Sequence, residues 1–292
     1  MVPGSDADGL TLSPRRIQSG RARVTTRASN ARDRVVPLGH ATVLLDLAGI
    51  RLITDPVLRP RVAFLERVVP EPEIPYGTDA VLISHLHHDH CDPPSVRALL
   101  ERGQESAVVV APRGAAEFLQ QRLRRRLRRD VVELSAGDRV NIGPVIVTAV
   151  PAVHDGRRGP WGPRADALGY LMTVPDAGRT VYFAGDTDLF PEMDGLAPSL
   201  DIALLPIWGW GPSLGPGHLD PIRAAEAVAR LAPSRVVPIH FGTLLPMGLR
   251  HLPIGARTLS QPAPAFQRAV SDRGLPVHLE SPAWGREVSW IP

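Results

Sequence analysis

Residues 84–90 read Ser84-His85-Leu86-His87-His88-Asp89-His90 and directly follow the apolar run 80–83. Such a run is typical of a buried strand, because it is rich in branched residues and too short for a helix. The histidines therefore fall in the turn after this strand, and residues two apart face the same side of an extended chain. His85 and His87 can thus face one metal ion, whereas Asp89 and His90 can reach a second ion nearby.

Metal-binding side chains also stand where three later predicted strands end. These side chains are His154, Asp186 and His240. Each of them alone also fits an ordinary strand end or turn, but burying several imidazoles and carboxylates together is costly unless they pair or bind a metal. Asp186 carries two oxygens that could bridge two ions. Together with the histidine motif, these residues predict a hydrolytic site with two metals.

The types of ligand indicate which ions this site would hold. Imidazole and carboxylate ligands without a thiolate suit Zn²⁺, and Mn²⁺ or Fe²⁺ as well. Cys91 adjoins the motif but is not needed as a ligand, so we predict a small buried residue there. Two divalent ions about 3.5–4 Å apart lower the pKa of a bridging water and hold an oxygen-rich substrate. We therefore expect a metal-activated hydroxide to attack phosphorus or a carbonyl carbon.

Length and composition favour one folded domain. The chain has 292 residues, of which 43% are hydrophobic. Residues 1–33 are poor in apolar periodicity and predict a basic, disordered or loosely attached extension, and residues 34–292 predict the hydrolase domain. The single cysteine excludes an intrachain disulfide, which fits a reducing cytoplasm. The chain has no apolar run long enough for a membrane span and no apolar stretch typical of a secretory signal.

The basic residues bear on possible partners. All 33 are arginine, and the net charge of +3 is too small to imply nucleic-acid binding by itself. Arginines are dense in the extension and on one face of a helix predicted over 114–129. Both segments fit a solvated surface, but a basic amphipathic helix can also lie on an anionic membrane, which predicts peripheral contact as a second option. A nucleic-acid processing or binding protein is a disfavoured alternative, because no aromatic stacking platform adjoins these stretches.

Hydrophobic periodicity predicts strands interspersed with helices along the chain. Asp220 followed by Pro221 predicts a helix start, with Asp220 as the N-cap. Residues 59–76 contain four prolines and predict a long loop. The predicted strands are 35–47, 50–54, 80–83, 107–110, 131–134, 145–150, 168–174, 180–184, 202–205, 235–239 and 277–279, and the predicted helices are 93–101, 114–129, 221–231 and 264–271.

These motifs, in this order, resemble the metallo-β-lactamase superfamily of metal-dependent hydrolases. The resemblance spans about residues 35–243 and rests on the histidine motif, His154, Gly185-Asp186-Thr187 and His240. Within the superfamily the chain is similar to the branch of N-acyl phosphatidylethanolamine phospholipase D and the ascorbate-6-phosphate lactonases. The segments that carry this similarity are Leu38-Gly39-His40-Ala41-Thr42-Val43-Leu44, Thr54-Asp55-Pro56, Gly217-His218-Leu219-Asp220-Pro221 and Pro238-Ile239-His240-Phe241-Gly242-Thr243.

The resemblance implies a fold and a set of roles. The fold is of the α/β class, an αββα four-layer sandwich with mixed sheets and helices on the outer faces. One metal would take His85, His87 and His154, the other Asp89, His90 and His240, and Asp186 would bridge them. Asp89 would thereby also be catalytic.

Three further residues correspond to positions near the reaction centre of this family. His40 and Asp55 would support the ligands from behind, although both also fit strand-end turns. His218 would act as a general acid or bind phosphate near the leaving group, or simply begin a helix.

The same branch suggests a small-molecule or lipid-like anionic substrate, namely a phosphodiester, with a lactone or another ester as the rival. Arg157, Arg158 and Arg164 follow His154 and could hold an anionic group, or form a solvated loop. Trp161 and Trp210 are predicted to line the pocket.

A redox di-iron protein on the same fold is disfavoured, because such sites favour a carboxylate where His87 stands. The sequence predicts no particular oligomeric state.

Overall fold

The computed structural model describes residues 32–123, 131–281, 283–288 and 290. The predicted extension lies outside the described residues up to residue 31, as does the stretch 124–130 of the predicted basic helix. Along the described chain the strands are β1 (Arg34–Gly39), β2 (Thr42–Leu47), β3 (Ile50–Thr54), β4 (Arg61–Val62), β5 (Leu65–Arg67), β6 (Ala80–Leu82), β7 (Val108–Pro112), β8 (Val131–Leu134), β9 (Arg139–Ile142), β10 (Val145–Pro151), β11 (Leu168–Val174), β12 (Arg179–Phe183), β13 (Ile202–Pro206), β14 (Arg235–Ile239), β15 (Leu244–Pro246) and β16 (His278–Leu279). The helices are α1 (Pro93–Arg102), α2 (Ala116–Arg122), α3 (Pro221–Leu231), α4 (Pro253–Ser260) and α5 (Pro262–Asp272).

Two large sheets pack face to face and form the centre of the molecule. Their strand orders are β1-β2-β3-β6-β7-β8 and β16-β14-β13-β12-β11-β10-β9. Side chains alternate across each strand: Val43 and Leu45 of β2 join the core between the sheets, whereas Leu44 packs with α1 and α2 on the outer face. Helices α3 and α5 cover the outer face of the second sheet. This arrangement confirms the predicted four-layer αββα sandwich.

Strand direction decides which loops meet. Strands β3, β6 and β7 run parallel in the first sheet, and β12, β13 and β14 run parallel in the second. Strand β10 is antiparallel to β11, which is antiparallel to β12, so β10 runs with β12. The hairpin between β1 and β2 lies at the end of β3, because β2 is antiparallel to β3. The loops that follow β1, β3, β6, β10, β12 and β14 therefore carry the metal-binding side chains to one edge of the sandwich.

The prediction of an irregular loop over residues 59–76 is wrong in part. Strands β4 and β5 lie within it and pair with β15 in a small third sheet, ordered β15-β5-β4. Strand β15 comes much later in the chain, and no local pattern reveals such a distant partner. Strand β9 and helix α4 were also not predicted; α4 contains Gly255, which lowers helix propensity.

The helices α1 and α3 follow the prediction closely. Asp220 is the N-cap of α3, and its side chain accepts hydrogen bonds from the backbone N–H groups of Ile222 and Arg223 at 2.9 and 2.8 Å. Helix α2 ends at Arg122, next to the undescribed stretch. Among the residues that the structure describes, every helix is too short or too polar to cross a bilayer.

Candidate metal centre

The histidine motif forms a tight turn at the end of β6. The backbone N–H groups of His90 and Cys91 donate to the carbonyl of His87 at 3.2 and 2.8 Å. This turn brings Asp89 and His90 back toward His85, and the rings of His85 and His90 lie 4.1 Å apart. His85 and His90 are fully buried, as is Cys91. The local sequence therefore brings four polar side chains together at the end of β6.

Three imidazoles form the first group of metal-binding side chains. The ligand nitrogens of His85, His87 and His154 lie within 4.8 Å of one another, and His154 Nε2 is 3.1 Å from His87 Nδ1. His154 Nδ1 donates to the carbonyl of Gly217 at 2.9 Å, which leaves the lone pair of Nε2 directed at the group. His85 Nε2 is buried without a hydrogen-bond partner among the described residues. These nitrogens are arranged to share a cation.

A second group joins His40, Asp89, His90 and His240, again with ligand atoms within 4.8 Å. The nitrogens Nε2 of His90 and His240 face each other at 2.8 Å. His90 Nδ1 donates to Asp55 at 2.6 Å, and His240 Nδ1 donates to the carbonyl of Trp208 at 2.7 Å. With both Nδ1 protons engaged, two Nε2 lone pairs oppose each other. Only a cation or a proton between them removes that repulsion, so this donor set fits a metal.

Asp186 lies between the two groups. Its Oδ2 is 3.1 Å from His90 Nε2, 3.9 Å from His85 Nε2 and 4.0 Å from His154 Nε2. Its Oδ1 is 3.2 Å from His240 Nε2 and makes no hydrogen bond to any described residue. Oδ2 thus lies within 4.0 Å of ligand nitrogens of both groups, and Oδ1 faces His240 of the second group. The carboxylate is therefore within reach of both groups, as a bridging ligand must be.

Electrostatics favour the metal-binding protonation states of His85, His154 and Asp186. Burial lowers the pKa of His85 well below its usual range, and lowers the pKa of His154 to about 4. Burial raises the pKa of Asp186, but the imidazoles of His240 and His90 outweigh burial and lower it well below its usual range. Neutral imidazoles beside charged carboxylates are what a divalent ion binds.

His90 behaves differently from the other imidazoles. Burial lowers its pKa, but the carboxylates of Asp186, Asp89 and Asp55 outweigh burial and raise it well above the usual value. A cation between these acids would take the place of the proton that His90 otherwise holds.

Two residues support the ligands from behind. His40 Nε2 is 2.9 Å from Asp89 Oδ2. Asp55 is fully buried and accepts hydrogen bonds from the backbone N–H of Ser84 at 2.7 Å and from the Ser84 hydroxyl at 2.5 Å, besides the bond from His90. A carboxylate behind an imidazole fixes its tautomer and raises its basicity as a ligand.

His218 lies at the open side of the cluster. Its Nε2 is 3.6 Å from Asp186 Oδ2, and its Nδ1 lies against the carbonyls of Gly215 and Pro216 at 3.1 and 3.2 Å. Burial lowers the pKa of His218, but Asp186 outweighs burial and raises it above the usual value. His218 therefore holds a proton more readily than an ordinary histidine.

Arg158 was predicted to hold an anionic group, and its contacts lie elsewhere. Its Nη1 donates to the carbonyls of Leu86 and Cys91 at 2.7 and 2.8 Å, and its Nη2 donates to His88 Nδ1 at 2.9 Å. The guanidinium also lies 4.8 Å from the centre of the Phe118 ring. Arg158 thus braces the backbone on both sides of the metal-motif turn.

The other four residues predicted to bind substrate make their described contacts outside the cluster. The backbones of Arg157 and Arg164 form an isolated antiparallel β-bridge across the loop after His154. Trp161 is 97% exposed. Trp210 packs on the small third sheet, with its ring 5.1 Å from that of Phe64.

Two backbone carbonyls and one hydroxyl at the site also orient the ligands, and the sequence motifs do not assign them this role. The carbonyls of Gly217 and Trp208 orient His154 and His240, and the hydroxyl of Ser84 lies 2.9 Å from His85 Nδ1. For Ser84, its position directly before His85 is the feature of the sequence that could indicate this contact. A backbone carbonyl carries no signal in the sequence.

Comparison with known proteins identifies similar chains. The model of the beta-lactamase superfamily domain matches residues 50–241. A UPF0173 metal-dependent hydrolase of Desulforamulus reducens is 31% identical over 80% of this chain and 90% of its own length. The N-acyl-phosphatidylethanolamine-hydrolyzing phospholipase D 1 of Caenorhabditis elegans is 30% identical over 72% of this chain and 64% of its own length. The metallo hydrolase Igni18 of Ignicoccus hospitalis shares the fold, with a TM-score of 0.64 at 21% identity over 88% of this chain and 97% of that one.

Proposed function

The chain belongs to the metallo-β-lactamase superfamily, as one of its metal-dependent hydrolases, and from this we propose that it binds two divalent ions, best Zn²⁺, and hydrolyses a phosphodiester. The observation that carries the proposal is the pair of neighbouring donor groups with Asp186 near ligands of both. His85, His87 and His154 would hold one ion. Asp89, His90 and His240 would hold the other.

The bound ions would supply an activated water as nucleophile and Lewis-acid stabilisation of negative charge. The protein's own residues do the rest. Asp186 holds the two donor groups at a fixed separation, and Asp55 holds the proton of His90 on Nδ1, so that Nε2 stays available. His40 restrains the orientation of the Asp89 carboxylate through the contact of its Nε2 with Oδ2.

His218 would act as the proton donor for the leaving group. The carbonyls against its Nδ1 hold the ring, and Nε2 faces the open side of the cluster beside Asp186. A donor whose pKa lies near the working pH transfers its proton efficiently. An alkoxide leaving from a phosphodiester needs such a proton, as does one leaving from an ester or a lactone.

The choice of a phospholipid-like phosphodiester is supported by the nematode relative, whose name states hydrolysis of an N-acyl phosphatidylethanolamine. Peripheral contact of the basic stretch around residues 122–129 with an anionic membrane would fit such a substrate, and it stays part of the proposal. A nucleic-acid substrate finds no comparable support.

A turnover screen tests the function. The full-length protein, loaded separately with Zn²⁺, Mn²⁺ or Fe²⁺, would be offered bis-(p-nitrophenyl) phosphate, an N-acyl phosphatidylethanolamine in mixed micelles, a γ-lactone and p-nitrophenyl acetate. We expect turnover of the phosphodiesters, best with Zn²⁺, and its loss in His218→Ala with the bound metal retained. Turnover of the lactone alone would assign the rival activity, and oxygen consumption by the iron form would assign the redox alternative. Either result would overturn the proposal.

A further inference from the structure

Arg67 is a buried arginine that the proposed chemistry does not use. It ends β5 in the small third sheet and is 7% exposed. Burial lowers its pKa to about 10, with Glu71 opposing, so it is still a cation at neutral pH. It forms no ion pair with a carboxylate of the described residues, and its Nε has no hydrogen-bond partner there. Burying a charge without a paired carboxylate costs free energy, which the hydrogen bonds of the guanidinium must offset.

The bonds of Arg67 join two turns of the metal centre. Its Nη1 donates to the carbonyl of Leu38 at 3.3 Å, and its Nη2 donates to the carbonyl of Val57 at 2.5 Å. Leu38 lies two residues before His40, and Val57 lies two residues after Asp55. The guanidinium therefore links the turn of His40 with the turn of Asp55.

Both turns hold a non-glycine residue in a left-handed conformation. The φ angles are 55° at His40, 32° at Asp55 and also 62° at His240. Such conformations are strained in non-glycine residues and persist only where the surroundings impose them. Three of them within one site demand a common support.

The turn of His240 belongs to the same network. The backbone N–H of His240 donates to the carbonyl of His40 at 3.0 Å, and the backbone N–H of His40 donates to Thr243 Oγ1 at 2.9 Å. Strand β15 pairs with β5 so that Leu244 lies opposite Arg67. All three left-handed residues are thus connected to the strand that carries Arg67.

Gly39 shows how closely the guanidinium approaches the first turn. A Cβ atom on Gly39 would lie 2.6 Å from Arg67 Nη1 and 2.9 Å from Thr243 Cγ2, and φ is +119°. Only glycine leaves room for the arginine there.

We propose that Arg67 is a positioning residue that holds the turns of His40, Asp55 and His240 together and thereby completes one ion site selectively. That site is the one formed by Asp89, His90 and His240, because His40 bonds to Asp89, Asp55 bonds to His90 and the His40 carbonyl fixes His240. The turns of His40, Asp55 and His240 reach the group of His85, His87 and His154 indirectly. Ser84 bonds to both Asp55 and His85, and Asp186 lies near ligands of both groups. The inference rests on the two-ion site of the proposed function.

The experiment measures metal binding rather than turnover. Full-length wild type and Arg67→Met are dialysed against Zn²⁺, and the bound metal per chain is determined by elemental analysis and by competition titration. We expect two ions for the wild type and one for Arg67→Met, with the affinity for the second ion lowered about 10–100-fold. The absorption of the Co²⁺ forms should show the loss of one set of d–d bands.

Arg235→Met is the matched control. Arg235 is also a buried arginine, but it pairs with Glu280 where β14 begins, at the other end of that strand from His240. This variant should lose stability and keep both ions. If Arg67→Met does not fold, Arg67→Lys carries the test, because lysine keeps the buried charge but cannot bridge both carbonyls.

Three results would overturn the inference. Both Arg67 variants could keep two ions at wild-type affinity, both could lose the two ions together, or Arg235→Met could lose an ion as readily. A wild type that binds fewer than two ions would instead overturn the two-ion function itself, so the two failures are distinguishable.

Discussion

Replacing Asp55 by asparagine tests how the metal centre is supported. Asp55 Oδ1 accepts from the backbone N–H of Ser84 at 2.7 Å, and Oδ2 accepts from the Ser84 hydroxyl and from His90 Nδ1 at 2.5 and 2.6 Å. Asparagine has nearly the same size but offers one oxygen and one NH₂ group. In either orientation the NH₂ group opposes an N–H, either that of Ser84 or that of His90.

The expected magnitude follows from burial. Because Asp55 is fully buried, the unsatisfied donor cannot reach water and costs about 1–3 kcal/mol of unfolding free energy. If the NH₂ group faces His90, the ring also loses the acceptor that fixes its tautomer. We then expect the affinity for Zn²⁺ to fall about 10–100-fold, equivalent to about 1.4–2.7 kcal/mol.

The assay is urea unfolding of chelator-treated protein together with a Zn²⁺ competition titration. Asp46→Asn is the control, because Asp46 pairs with Arg34 and Arg51 at the end of β2 remote from the cluster. It should lower stability and leave Zn²⁺ affinity unchanged. An Asp55→Asn variant with wild-type stability and wild-type affinity would refute the reasoning.

Further predictions concern the ligands, the pH dependence, the thiol and the extension. His87→Ala and Asp186→Ala should each abolish hydrolysis and release metal while circular dichroism stays native; full turnover in either would contradict the ligand assignment. The folded pKa of His154 is about 4 against 6.5 for the free group, so the unfolded chain binds its proton first and stability falls as the pH drops from about 6.5 toward 4. In urea unfolding of metal-free protein, the unfolding free energy of the wild type should fall more steeply with decreasing pH than that of His154→Asn. Equal pH dependences of the two proteins would contradict the prediction. Burial raises the pKa of the Cys91 thiol to about 12, so a thiol reagent at pH 8 should label one group per chain only in denaturant; rapid labelling of native protein would refute this. A chain that begins at Arg32 should keep wild-type turnover of a small phosphodiester, and a large loss would place the extension in the active domain.

The three left-handed residues show that the site is held under backbone strain. His40, Asp55 and His240 all follow strands directly, and each turns the chain sharply so that its side chain points into the cluster. Strain of this kind is tolerated where many bonds impose it. We therefore expect the metal centre to depend on residues that never touch a metal.

The α/β class and most strands could be predicted from the sequence, because hydrophobic runs and their turn residues are local properties. The small third sheet could not, since β5 finds its partner β15 only after the chain has folded. The contacts of Arg158 depend on the folded loop for a similar reason. Its position next to His154 suggested an anion site, whereas the folded loop directs it at the carbonyls of Leu86 and Cys91.

The sequence by itself determined which side chains can bind a metal and that they stand at strand ends, because residue type and strand periodicity are written locally. Only the tertiary structure decided that Asp186 lies between the two donor groups, that His40 meets Asp89, and that Arg67 joins the turns behind them. These contacts depend on strand order and direction within two packed sheets. Hydrogen bonds and close approaches of about 3 Å between distant segments exist only once that packing is complete.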